Sequence, residues 1–250
     1  MLELSTASLA ILLLAAFGTG VLHGAVGLAG GVVMAAVLAH FVGLKTAVPI
    51  MTCALLFSHG SRVFLFRKET AWSTAWFVLA FGLPTIVLGA WVFTRISETV
   101  VAFIFAVFLT ASFPVKRWAK AHRINTSKPV LAVASSVWGM LAGNVIGPGF
   151  FLAPFLQGTG MNRLTFVGTI AIITLAMNAA KLIVFSSAQL MSTESYLLGI
   201  LIGCATIPGN WLGKRILHHM TDGHHEWLVD LLTFLLIANF VYLAVTVNAS

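Results

Sequence analysis

The sequence predicts an all-α polytopic membrane protein built as two inverted-topology repeats, and three observations carry that prediction. The 250 residues are 59% hydrophobic and 8% charged, whereas a soluble domain carries about 25% charged residues. Nothing in such a composition could cover a water-facing surface. The apolar residues run in long segments instead of short alternating ones, which excludes a membrane β-barrel. Finally, two glycine-rich stretches, 20–31 and 139–150, interrupt those segments at equivalent places in a chain that repeats itself.

The repeat is read residue by residue. A displacement of 119 lays Gly20 on Gly139, Gly24 on Gly143, Gly30 on Gly149, Thr46 on Thr165, Arg62 on Lys181 and Phe66 on Phe185. A displacement of 120 then lays Gly89 on Gly209, Trp91 on Trp211 and Arg95 on Arg215. Self-similarity over so much of the chain marks a duplicated architecture. It divides the protein into a first membrane repeat, 1–115, a polar linker, 116–129, and a second membrane repeat, 130–250.

Taken in order, the apolar segments lie near 5–25, 31–43, 46–66, 71–93, 98–115, 130–146, 149–160, 164–185, 195–213 and 226–247. The amino terminus lacks the basic region of a signal peptide and is expected to belong to the first helix. A crossing needs about 20 apolar residues, so 31–43 and 149–160 are too short to cross alone. Each follows a glycine break. The stretches 5–43 and 130–160 therefore either cross once as broken helices or fold back as re-entrant hairpins.

Lysine and arginine decide between these arrangements. With two hairpins, Arg67, Lys68, Lys116, Arg117, Lys120, Arg123, Lys128, Arg163, Lys214 and Arg215 share one face and only Lys45 and Arg95 the other. With single crossings, Arg163, Lys214 and Arg215 move to the side of Lys45 and Arg95. The preference for basic residues on the cytoplasmic side selects the hairpins. Each half then has three full crossings, so the halves are inverted, the linker is cytoplasmic and both termini lie outside the cytoplasm, which suits Glu3. The expected location is the cell inner (plasma) membrane. The net charge of +7 reads as orientation and not as a nucleic-acid patch. Trp72, Trp91, Trp118 and Trp227 fall at segment ends as interfacial anchors, and Cys53 and Cys204 read as small buried side chains.

Chemistry is expected at the breaks. Non-helical backbone at membrane depth survives only where protein or a water-filled cavity receives its polar groups. Gly27, Gly30, Gly31, Gly147 and Gly149 let a ligand or a facing backbone come close. The short segments behind them present helix N-termini, which suit an anion. Small-residue helix packing is the alternative use of such glycines. Buried polar residues surround the breaks: His23 and Asn144 within them, then Thr46, Thr52, Ser58, His59 and Arg62 on one following helix. Thr165, Thr169, Thr174, Asn178 and Lys181 stand on the other. Thr52, His59, Arg62, Asn144, Thr169, Asn178 and Lys181 join the glycines as candidate substrate-binding residues. Arg62 and Lys181 lie about one turn inside their helix ends, where snorkelling to the interface is the alternative.

The carboxylates all stand at or near segment ends, so no acidic proton relay or cation site is apparent. His23 and His59 are the candidate proton carriers. No catalytic set, cofactor motif or metal-ligand spacing is found, so an enzyme is not expected. The expected contacts are a small anionic substrate and membrane lipid, with homo-oligomer formation left open. Two other readings stand beside anion transport. One is a transition-metal carrier using the cluster His218 to His225; the other is an assembly or sensing subunit that transports nothing.

Two halves, each opening with a glycine-rich hairpin (Gly27-Leu-Ala-Gly-Gly31; Gly147-Pro-Gly149 followed by Pro154) and a threonine-bearing helix, resemble the sulfite exporter TauE/SafE family. The resemblance covers nearly the whole chain and is strongest from Gly139 to Lys181, including Thr165 and Gly168-Thr169. It implies a permease for sulfite, sulfoacetate or another organosulfonate, without cofactor.

Overall fold

The computed structural model describes residues 5–27, 30–121 and 125–247. Glu3, Leu28 and Ala29 of the first break, and Arg123 of the linker lie outside the described residues. So do the side chains of Lys116, Arg117, Lys120, His225 and Glu226. The described residues form helices without a strand: α1 (Thr6–Val26), α2 (Gly30–Val42), α3 (Leu44–Phe66), α4 (Trp72–Arg95), α5 (Glu98–Ala121), α6 (Lys128–Asn144), α7 (Gly149–Gln157), α8 (Arg163–Ser187), α9 (Thr193–His219) and α10 (Asp222–Val247). Five of them, α1, α3, α4, α8 and α9, are long and apolar enough to cross a membrane. In α5 and α10 the described apolar stretches are Glu98–Phe108 and Asp230–Tyr242.

Local chemistry sets the helix limits. Ser5, Asn162 and Ser192 cap α1, α8 and α9, each side chain accepting from the backbone N–H three residues on, which satisfies a donor the helix leaves free. α1 stops at Gly27, whose φ of +87° is the left-handed conformation that a side chain disfavours. Its N–H returns to the carbonyl of His23. α6 stops at Val145, and Gly147 takes the left-handed turn, at φ +78°.

Packing pairs elements across the halves. α1 lies on α9 and α6 on α4; α3 lies on α9 and α8 on α4; α2 touches α10 and α7 touches α5; α3 meets α8 and α5 meets α10. Exchanging each of α1–α5 for the element five places later maps this set onto itself. The α3–α8 pair is antiparallel: Thr174 stands beside His59, Val167 beside Arg62 and Gly168 beside Phe66.

Small residues make the two most extensive contacts possible. A Cβ on Gly20 would lie 2.6 Å from the carbonyl oxygen of Thr206. One on Gly24 would overlap Asn210, and on α6 one at Gly139 or Gly143 would overlap the backbone of Gly82 or Gly89. Four of the glycines of the two glycine-rich stretches therefore serve helix packing. Connections are tied by charge at helix ends. Lys45 Nζ donates to the carbonyls of Phe93 and Ile96, and Glu98 accepts from the backbone of Leu44 and Lys45. Arg163 Nη1 donates to the Met220 carbonyl at the end of α9.

Two expectations are corrected. Cys204 is exposed, although Cys53 is buried; an apolar segment does not tell which face meets lipid. Arg62 and Lys181 do not snorkel, since both are fully buried and hydrogen-bonded within the protein.

Candidate functional site

The two breaks meet at one small cavity. Its wall comprises His23, Gly27 and Gly31 from the first break, Ile146, Gly147, Pro148 and Gly149 from the second, and Leu55, His59, Thr174 and Met177 from α3 and α8. The volume is 20 Å³, where a single water needs about 10–15 Å³ on the same measure. The cavity thus has room for a water or so, and any larger occupant requires the helices to move.

Its position follows from the antiparallel pair. Thr174 lies seven residues from Val167, where Arg62 reaches α8, and seven from Lys181. At 1.5 Å per residue those two positions are roughly 21 Å apart along α8 with Thr174 midway. Both side chains reach inward from them, Arg62 to His59 beside Thr174 and Lys181 to Val145 beside Ile146.

On the first-break side, Arg62 Nη2 donates to the Val167 carbonyl and Nη1 lies against His59 Nδ1, both at 3.3 Å. Guanidinium has only donors, so His59 accepts at Nδ1 and carries its proton on Nε2. Thr174 Oγ1 is 3.2 Å from the same nitrogen and 2.6 Å from the Ile170 carbonyl. The His23 and His59 rings meet edge to face at 4.8 Å. His23 Nδ1 is 3.3 Å from Ser58 Oγ, which accepts from Asn210, whose amide also reaches the Ser58 carbonyl and Ser61. Arg62 Nε is buried without a partner.

On the second-break side, Lys181 Nζ donates at 2.9 Å to the carbonyl of Val145, the residue that ends α6. A cation there satisfies an end carbonyl and matches the negative end of the helix dipole. Among the described residues no carboxylate pairs with Arg62 or Lys181.

Of the sequence-predicted residues, the structure brings together His23, His59, Gly27, Gly31, Gly147 and Gly149 on the cavity wall. Arg62 and Lys181 stand behind it. Gly30 instead packs against α1, where a Cβ would come 2.5 Å from that of His23. Thr52 bonds its own helix at Val48. Thr169 accepts from the Ala71 N–H and pins the α3–α4 connection. Asn144 and Asn178 donate to Met140 and Thr174, and each leaves its Oδ1 unpartnered. The wall residues Leu55, Ile146, Pro148 and Met177 were not foreseen. Leu55 and Thr174 are 119 apart, so the repeat register was the signal for them. Among the described residues no three metal-ligating side chains cluster, those near His218 and His224 included.

The family model described as Sulfite exporter TauE/SafE covers residues 12–240. No curated protein and no solved structure matches the chain.

Proposed function

The chain belongs to the sulfite exporter TauE/SafE family, a family of multi-pass membrane transporters, and from that premise we propose that it carries a small oxyanion, sulfite or an organosulfonate, outward across the inner membrane. One observation carries the reading. Arg62 and Lys181 are fully buried with no carboxylate among the described residues to balance them, on either side of a cavity that both breaks line. A buried charge without a counter-ion is expensive, and an anion entering the cavity supplies the missing charge. The N-terminus of α7 at Gly149 adds partial positive charge and free N–H groups, and Thr174 adds a hydroxyl.

The packing supports inverted repeats. Repeat-equivalent helices α3 and α8 run antiparallel, as they do when the axis relating the halves lies in the membrane plane. In this reading the glycine breaks are re-entrant tips, both termini are non-cytoplasmic, and rocking the halves about the cavity opens it to each side in turn.

Coupling follows from the imidazoles. A proton added to His59 goes to Nδ1, breaks the contact with Arg62 and frees that guanidinium edge for the anion, so proton and anion binding support each other. His23 is the neighbouring relay. Without proton coupling, one negative charge leaving a cell with a negative interior gains about 2.3 kcal/mol per 100 mV.

The test is flux of sulfite, sulfoacetate and sulfate in proteoliposomes at set membrane potential, with Gly149→Leu alongside. Potential-dependent movement of one anion, absent in the variant, is expected. No movement of any of the three overturns the substrate class.

A further inference from the structure

We propose that the groove between α3 and α9 on the outer surface of the bundle binds an anionic phospholipid, one acyl chain in the groove and the phosphate on the cations at its end. The groove, 480 Å³ in volume, is lined by Ser61, Phe64, Leu65, Ile207, Pro208 and Trp211. Phe64 is 68% exposed and Trp211 49%, so its walls face the acyl layer. α3 and α9 run parallel here, as Ser58 pairs with Asn210 and Leu65 with Lys214. Their C-terminal ends therefore close one end of the groove.

Three cations stand at that end, each tied to a wall residue. The Arg215 guanidinium lies 3.6 Å from the centre of the Trp211 ring, and that of Arg67 lies 4.5 Å from the centre of Phe64. Lys214 Nζ donates to the Leu65 carbonyl. Capping of the C-terminal end of α3 accounts for Lys214. It does not account for the arginines, which lie on aromatic faces, where planar guanidinium stacks while its edge donors stay available to a phosphate. Glu69, on the connection after α3, pairs with none of the three, and no carboxylate among the described residues does.

Charge asymmetry sharpens the choice of occupant. At the repeat-equivalent place on α8 and α4, Arg95 lies over Trp91 at 5.3 Å, but Ser186 and Thr94 stand where Arg67 and Lys214 would be. The three-cation end belongs to one membrane face only. On the orientation proposed above that face is cytoplasmic, where anionic lipid is concentrated. An apolar cleft ending in guanidinium and ammonium groups fits a lipid with a negative headgroup better than a neutral lipid or a second apolar surface.

Native mass spectrometry of the delipidated full chain, offered equal phosphatidylglycerol and phosphatidylcholine, tests this without reference to transport. Phosphatidylglycerol is expected to be retained preferentially. Retention should fall about fivefold per cation removed, on the order of a hundredfold in Arg67→Gln/Lys214→Gln/Arg215→Gln, and stay unchanged in Arg95→Gln. If the triple variant does not fold, Arg67→Gln/Arg215→Gln leaves the Lys214 bond intact and should still lose about 25-fold. Equal retention of both lipids, or undiminished binding by the variants, overturns the proposal. A lipid-independent dimer abolished by Trp211→Ala also overturns it, by assigning the groove to a second copy.

Discussion

Around the first break stand two imidazoles and a guanidinium; around the second stand a Gly-Pro-Gly turn, a threonine hydroxyl and a lysine occupied by a carbonyl. The repeat places Arg62 and Lys181 at equivalent positions, yet their hydrogen bonds differ. Lys181 closes the end of α6, whereas Arg62 keeps one nitrogen unpartnered and lies against His59, on the cavity wall. Duplication supplied a symmetric frame, and divergence of a few side chains gave the two cations different hydrogen-bond partners.

The comparison is most strongly tested by volume. Gly30→Leu drives a side chain into the α1 backbone at Thr19 and His23 and is expected to abolish monodisperse protein in size-exclusion chromatography. Gly31→Ala meets the flexible Leu55 side chain at 3.0 Å and the His23 ring at an ordinary 3.8 Å, and should cost no more than about 1–3 kcal/mol in thermal unfolding. Equal damage from both would remove the distinction between a packing and a lining glycine.

Charge removal separates the two cations. Arg62→Met should reduce anion flux by about two orders of magnitude, while stability holds or rises by about 1–4 kcal/mol, as when buried ions give way to apolar groups. Lys181→Met leaves the Val145 carbonyl unpaired and should lose about 1–3 kcal/mol of stability, with the smaller effect on flux. The opposite pattern would reverse the roles of the two breaks. His59→Gln is expected to keep potential-driven flux and lose its response to an imposed pH gradient; an unchanged response excludes His59 as the proton carrier.

Smallest are the wall exchanges. Thr174→Val removes one hydroxyl and should weaken apparent affinity by about fivefold, near 1 kcal/mol. Leu55→Thr, which gives the first repeat the residue of the second, should shift it less. A larger effect from Leu55 would place the anion on the α3 side.

Much of the fold was legible in the sequence. The helix limits of α1, α3, α4 and α8 fall within about two residues of the apolar segments, because a membrane span is set by length and hydropathy, whereas α9 runs on six residues past its segment through Lys214 and Arg215 to His219. The breaks were legible as glycine clusters, although of their glycines only Gly27 and Gly147 take the left-handed turn, and α1 and α6 run on through Gly20, Gly24, Gly139 and Gly143. The site was legible in part: His23, His59 and the wall glycines are unusual enough at membrane depth to announce themselves. Leu55, Met177 and Ile146 do not, since an apolar wall residue is indistinguishable from a lipid-facing one.

By itself, then, the sequence determined the helical class, the segment lengths, the duplication and the two interruptions, all of which depend on local composition and spacing. Only the tertiary structure decided which face each helix buries, that both breaks line one cavity, that Lys181 serves a carbonyl while Arg62 lies against His59, and that Cys204 points outward. In a bilayer both the protein-facing and the lipid-facing sides of a helix are apolar, so facing is settled by close approach between helices, such as Gly24 on Asn210 and Gly143 on Gly89, and not by hydropathy.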